Sequence, residues 1–132
     1  MILVDTSAWV EYDRASGSDV DLRLTERIRG GGGDIAVTEP VLMEVLAGAR
    51  DQAGTAQLRR LLTSFGWLPV DAVADFEGAA KVYRSCRDAG ITPRGLIDCL
   101  IASIAIRTGS ELLTADRDFT AMAGVVPLRL AR

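Results

Sequence analysis

An α/β sandwich around a mostly parallel sheet is the fold class this sequence predicts, and three observations carry it. Short apolar, β-rich runs alternate along the chain with longer segments of helical periodicity. The strand-like runs are apolar at every position, as strands covered on both faces are. The 132 residues, 48% hydrophobic and 25% charged, have an ordinary globular composition that suits one domain, 1–132, with its own core.

Ile2 to Val4 reads as the first, central strand. No basic region precedes it, so the apolar start is a strand rather than a signal peptide. Ser7 or Thr6 is placed to cap a short helix running to about Arg14. A second helix fits Asp19 to Arg29, with Val20, Leu24 and Ile28 four apart on one face, and the glycines 30–33 end it. Ile35 to Val37 is a second strand, and Thr38-Glu39-Pro40 starts a helix reaching about Gly48. Another helix covers about Thr55 to Phe65. Trp67 to Val70 is a third strand, which Pro69 assigns to an edge. Ala72 to Ala89 is a long helix stopped by Gly90. Thr92-Pro93 starts the next, which runs to about Arg107 and stops at Gly109. Leu112 to Thr114 is a fourth strand, and Val126 to Leu130 a short fifth at an edge, because of Pro127.

Composition narrows the chemistry. There is no histidine, which excludes a Ser-His-Asp triad and any histidine acid–base ribonuclease. Cys86 and Cys99 form no C-x-x-C pair and read as small buried hydrophobes of a reducing, cytoplasmic protein. No apolar stretch is long enough to span a bilayer. The net charge of −3 does not advertise nucleic-acid binding by the surface as a whole. Lys81 is the only lysine; the arginine excess suits bidentate phosphate contacts but is equally a coding bias.

Four acids stand where a core is otherwise being built. Asp5 ends the first strand, Glu44 is the only charge in PVLMEVLAGA, Asp98 the only charge in GLIDCLIASIAI, and Asp116 follows the strand LLTA. Each has a plainer reading. Asp5 and Asp116 are placed to cap helices, and Asp118 is a first-turn acid. Glu44 and Asp98 lie six residues past their expected helix starts, where the helix dipole has faded. Small residues flank both: Gly95 and Ala102 beside Asp98, Ala47 and Gly48 beside Glu44. In parallel α/β sheets, sites form beyond the carboxyl ends of the strands. Asp5 and Asp116 fall on that edge, and the helix carrying Glu44 starts there. The helix of Asp98 precedes a strand, so its N-terminal half must reach the same edge. Converging carboxylates repel, and an all-oxygen set without histidine suits Mg²⁺ or Mn²⁺. Ser7 and Thr114 are positioned to hold a water or orient a carboxylate, or are ordinary strand-end hydroxyls.

The segments ILVDTSAWV, VTEPVLMEVLAG, PRGLIDCLIASIAI and LLTADRDF resemble, in order and spacing, the motifs of PIN-domain ribonucleases, above all the VapC toxins of bacterial toxin–antitoxin pairs. The resemblance spans nearly the whole chain. It implies a three-layer α/β/α sandwich of strand order 3-2-1-4-5 and Mg²⁺- or Mn²⁺-dependent RNA cleavage leaving 5′-phosphate and 3′-hydroxyl ends. Asp5, Glu44, Asp98 and Asp116 match the family's acidic quartet, with Asp5, Asp98 and Asp116 as metal ligands. Asp118 matches a further acidic position, and Ser7 and Thr114 match small hydroxyl positions. A homodimer is implied, as is a cognate VapB-type antitoxin whose peptide covers the active-site groove, to which Trp9, Val10 and Tyr12 are expected to contribute. Trp9 fits the core equally well. Arg14, Arg84, Arg87 and Arg94 flank the motifs and are the candidate RNA contacts, each also readable as a solvated surface residue.

Rival readings lack their residues. A haloacid-dehalogenase-type phosphatase needs a second Asp where Ser7 stands. A phosphotransfer receiver needs paired acids after the first strand and a lysine after the last, whereas Lys81 sits in a helix. The run 30–33 ends a helix and precedes a strand, so it is a turn and not a dinucleotide loop. The remaining alternative is a non-catalytic PIN-like module that binds RNA or protein. The intact acid set favours the enzyme.

Overall fold

β1 (Ile2–Val4) leads into α1 (Thr6–Asp13) and α2 (Asp19–Arg29) in the computed structural model, which describes residues 1–132. β2 (Ile35–Val37) is followed by α3 (Glu39–Ala47) and α4 (Gln52–Leu62), then β3 (Gly66–Trp67) and the long α5 (Ala72–Asp88). α6 (Leu96–Thr108), β4 (Glu111–Leu113) and α7 (Arg117–Ala123) complete the order.

The strands form one parallel sheet of order β3-β2-β1-β4. Ile2 lies opposite Ile35 on one side and Glu111 on the other, and Leu3 opposite Ala36 and Leu112. Successive strand residues point to opposite faces, yet every residue of β1 and β2 is buried. Helices therefore cover both faces, which explains why these strands read as continuous apolar runs. α5 packs along α6, while α1 packs on α2 and α3, and α3 on α4. Gly78 allows the close approach of α5 to α6: a Cβ there would lie 2.1 Å from the Ser103 hydroxyl. Asp75, fully buried on α5, is met by Nε of Arg107 on α6 at 2.8 Å. Cys86 and Cys99 are free and buried, as expected of small hydrophobes. Trp9 is 1% exposed, against Phe65 and edge-on to Tyr12, so its core reading holds. No helix is long and apolar enough to cross a membrane.

The helix expected over about Thr55 to Phe65 lies three residues earlier, as α4, because Asp51 caps it by accepting from the Gly54 amide. The fold corrects the sequence reading in four further places. The expected fifth strand is absent. Val125 and Val126 bond back to the Met122 carbonyl as a turn after α7, and Pro127 has no N–H to give. Only a single parallel bridge, Leu112 with Leu130, forms at the β4 edge, so the order is 3-2-1-4. β3 is shorter than expected: Leu68 N–H still reaches the Val37 carbonyl at 2.8 Å, and Pro69 then ends the ladder. α1 is capped by Asp5, and by neither Thr6 nor Ser7; its carboxylate accepts from the Ala8 amide. α6 begins at Leu96 instead of near Pro93, because Gly95 keeps an extended backbone (φ −156°, ψ 155°) as its N-cap.

Candidate active site

The late start of α6 resolves how Asp98 reaches the sheet edge. A helix that precedes a parallel strand runs against it, so its N-terminus lies at the carboxyl end of the sheet. Asp98 is the third residue of α6 and therefore sits at that end, in the first turn. Asp5 follows β1 directly, Asp116 caps α7 just beyond β4, and Glu44 is on α3, which follows β2.

Carboxylate oxygens of Asp98, Asp116 and Asp118 all lie within 4.8 Å of one another. Asp98 is pushed up to about 6 from its ordinary 3.8, first by burial and then by the charges of Asp116, Glu44, Asp5 and Asp118. All the predicted acids thus act on one carboxyl. Asp118, assigned a supporting place on the sequence, belongs to the tightest group, whereas Asp5 stands slightly apart.

Asp5 is 3% exposed and organised by its neighbours. Its Oδ1 accepts from the Ser7 hydroxyl at 2.7 Å and the Ala8 amide at 3.1 Å, and its Oδ2 accepts from the Thr114 hydroxyl at 2.9 Å. One lone pair of Oδ2 is left over for a further partner. Burial raises Asp5 to about 6; the three hydrogen bonds pull it down, and Asp116 adds a smaller upward push. Ser7 and Thr114 also receive the amides of Ala115 and Asp116, both at 2.9 Å. These two hydroxyls therefore lock the β1 and β4 loops together around Asp5.

Two features escaped the sequence reading. Thr6 donates to Glu44 Oε1 at 2.7 Å, tying α1 to α3. Its signal was its place between Asp5 and Ser7, which was absorbed by a capping role it does not play. Arg94, expected as an RNA contact, lies in the acidic cluster: Nη2 meets Asp116 Oδ1 at 2.9 Å and Nε meets Asp118 Oδ2 at 2.8 Å. The other arginines stand elsewhere. Arg84 lines a shallow depression on α5 with Glu77 and Lys81, and Arg87 lies over the Tyr83 ring. Arg14 lines a groove of about 570 Å³ between α1, α3 and α4. Trp9 and Val10 line this groove too, but Tyr12 does not, and Glu44 is shared between groove and acid cluster.

An all-oxygen, partly buried carboxylate cluster of this kind suits a hard divalent cation. Asp98, Asp116 and Asp118 offer the nearest oxygens, with the free lone pair of Asp5 as a further donor.

Residues 2–125 match the PIN domain. The chain is 44% identical over 131 residues to ribonuclease VapC11 of Mycobacterium tuberculosis and to VapC ribonuclease Mb1587 of Mycobacterium bovis, covering 99% of its own length and 98% of theirs. Among solved structures, VapBC2 of Rickettsia felis, bound to a DNA fragment from its promoter, superposes with TM-score 0.76 at 19% identity, over 99% of this chain and 98% of that one. VapC20 of Mycobacterium tuberculosis, a Sarcin-Ricin loop cleaving toxin, superposes with TM-score 0.71 at 20% identity, over 98% and 99%. At these identities the superpositions establish the fold.

Proposed function

Since this chain belongs to the PIN-domain family, we propose that it is an Mg²⁺- or Mn²⁺-dependent endoribonuclease, the VapC-type toxin of a toxin–antitoxin pair. The observation that carries this reading is the meeting of Asp98, Asp116 and Asp118 within 4.8 Å, with Asp5 and Glu44 acting on the same centre. Full-length identity of 44% to ribonucleases supports the activity.

Asp5, Asp98 and Asp116 are the proposed ligands of the cation, with Asp118 beside them. A bound divalent ion would polarise the phosphate, lower the pKa of a water and stabilise the leaving oxygen. Ser7, Thr114 and the Ala8 amide hold the Asp5 carboxylate in one orientation, so no reorganisation is needed at the moment of reaction. Thr6 fixes one oxygen of Glu44 and leaves the other open to orient the attacking water and take its proton. In the reaction a water oxygen bonds to phosphorus and the bond from phosphorus to the 3′ oxygen breaks. That oxygen takes up a proton, leaving 3′-hydroxyl and 5′-phosphate ends.

The groove that shares Glu44 is the proposed seat of the cognate VapB-type antitoxin, whose peptide would close the site from the side of Trp9 and Val10. Neighbours of the same fold include a toxin–antitoxin complex from Klebsiella pneumoniae and DNA-bound VapBC from Salmonella typhimurium, which supports such a partner. Val73 and Phe76, three apart and exposed on α5, are candidates for the homodimer contact. Of the four candidate arginines, Arg14, at the groove beside Glu44, is the best placed to meet RNA.

Incubating the purified protein with total cellular RNA in Mg²⁺ or Mn²⁺ tests the proposal. Discrete cuts that disappear with EDTA and in Asp98→Asn are expected. RNA retention without cutting, in either metal, would replace the enzyme by the binding module.

A further inference from the structure

Arg94 is the only basic side chain paired with the acidic cluster, and it holds two of its three closest carboxylates at once. Asp116 Oδ1 also accepts the Asp118 amide at 2.9 Å, so with Nη2 of Arg94 at 2.9 Å both of its lone pairs are filled. Nε of Arg94 takes Asp118 Oδ2 in the same grip. One oxygen of each of these two carboxylates is therefore claimed by a cation of the protein's own, while Asp116 Oδ2 and Asp118 Oδ1 keep no side-chain or backbone partner.

We infer that Arg94 is a built-in counter-cation of this site, which competes with a divalent ion for Asp116 and Asp118 and is released from them as the ion binds. The inference rests on the cluster being a metal centre. It explains how adjacent carboxylates tolerate one another before metal arrives: one guanidinium offsets part of their repulsion. Arg94 is also suited to leaving. Its side chain is 74% exposed, it sits on the short connection between α5 and α6, and Gly95 follows it. Swinging out to water breaks the two ion pairs and disturbs no packed core. Arg94 is thus a positioning residue that sets metal affinity, and any phosphate contact it makes follows its release.

The test is a titration of the metal-free protein with Mg²⁺ or Mn²⁺ alone, followed by calorimetry, for wild type, Arg94→Gln, Arg94→Lys and Asp98→Asn. Arg94→Gln is expected to bind about three- to tenfold more tightly, the scale of one or two exposed charged pairs. Arg94→Lys decides the mechanism. It keeps the charge but loses the two-pronged grip, so displacement predicts tightening here as well. In wild type, the Arg94 Nε–H resonance should lose its hydrogen-bonded shift as Mg²⁺ saturates the site. Wild-type affinity in Arg94→Lys, or an Nε–H signal unchanged at saturation, would show that the arginine acts only through its charge and would overturn the inference. If no variant binds either ion in a way that depends on Asp98, the metal-centre reading itself fails, a result distinguishable from the others.

Discussion

Asp5→Asn should stabilise the metal-free protein at neutral pH while abolishing its RNA cleavage. Asp5 is buried, and burial moves its pKa from 3.8 to about 6 in the folded state. A gap of about two units corresponds to about 3 kcal/mol at 1.36 kcal/mol per unit. The sign follows from the raised value. Folding is favoured fully below about pH 4, and that contribution is lost as pH rises through about 6, above which the buried charge costs a constant amount. An asparagine carries no charge. Its carbonyl oxygen can still accept from Ser7 and Ala8, but its amide nitrogen cannot accept from Thr114, a loss of about 1 kcal/mol. The net gain at pH 7.5 is about 2 kcal/mol. With about 2.1 cal/mol/K of unfolding entropy per residue, that is about 7 °C in Tm. Near pH 4 the charge cost is gone and the variant should be about 1 kcal/mol less stable, from the lost hydrogen bond alone. Thermal melts in EDTA at pH 4, 6 and 7.5 measure this crossover. A variant that is less stable than wild type by the same amount at every pH would refute the reasoning.

Other substitutions probe how the site is held. Gly78→Ala places a methyl against the Ser103 hydroxyl, so urea unfolding should show a loss of about 1–3 kcal/mol, partly recovered in Gly78→Ala with Ser103→Ala, which removes the clashing oxygen. Arg107→Met leaves the Asp75 carboxylate buried without its charge partner. Because Arg107 is partly exposed, the expected cost is about 2–3 kcal/mol, below the range for a fully buried pair, and the same denaturation reads it. Thr6→Val removes the donor that fixes Glu44 while keeping the side-chain shape. The Tm should move little, and kcat/KM should fall about fivefold, one hydrogen bond's worth.

The buried strands and the acids were legible because each is an exception to its surroundings. An unbroken apolar run signals a strand covered on both faces, and a lone carboxylate inside such a run signals a cost borne for chemistry. β1 and β2 were read residue for residue for this reason, and α2 from the spacing of Val20, Leu24 and Ile28. The misreadings came where backbone chemistry competed with local pattern. Pro93 fits a helix start, but Gly95 carries the chain in extended form for two residues more, which moved Asp98 from mid-helix to the first turn. Val126 to Leu130 has strand-like composition, yet a turn closing α7 takes its first amide and Pro127 has none. Asp5 was read as either a cap or a ligand; it caps α1 through one oxygen, and the other keeps a free lone pair. Arg94 was singled out for flanking a motif, but its place among the acids had no readable signal. Its pairing with Asp116 and Asp118 spans more than twenty residues and depends on where α6 starts.

The central claim is that these carboxylates hold a divalent cation. Anomalous diffraction from a crystal of the full chain soaked in Mn²⁺ tests it most directly. A manganese peak touching the carboxylates of Asp98 and Asp116 is expected, with the Arg94 guanidinium turned away from them. A saturating soak that leaves no peak there, with Arg94 still bridging Asp116 and Asp118, would contradict it.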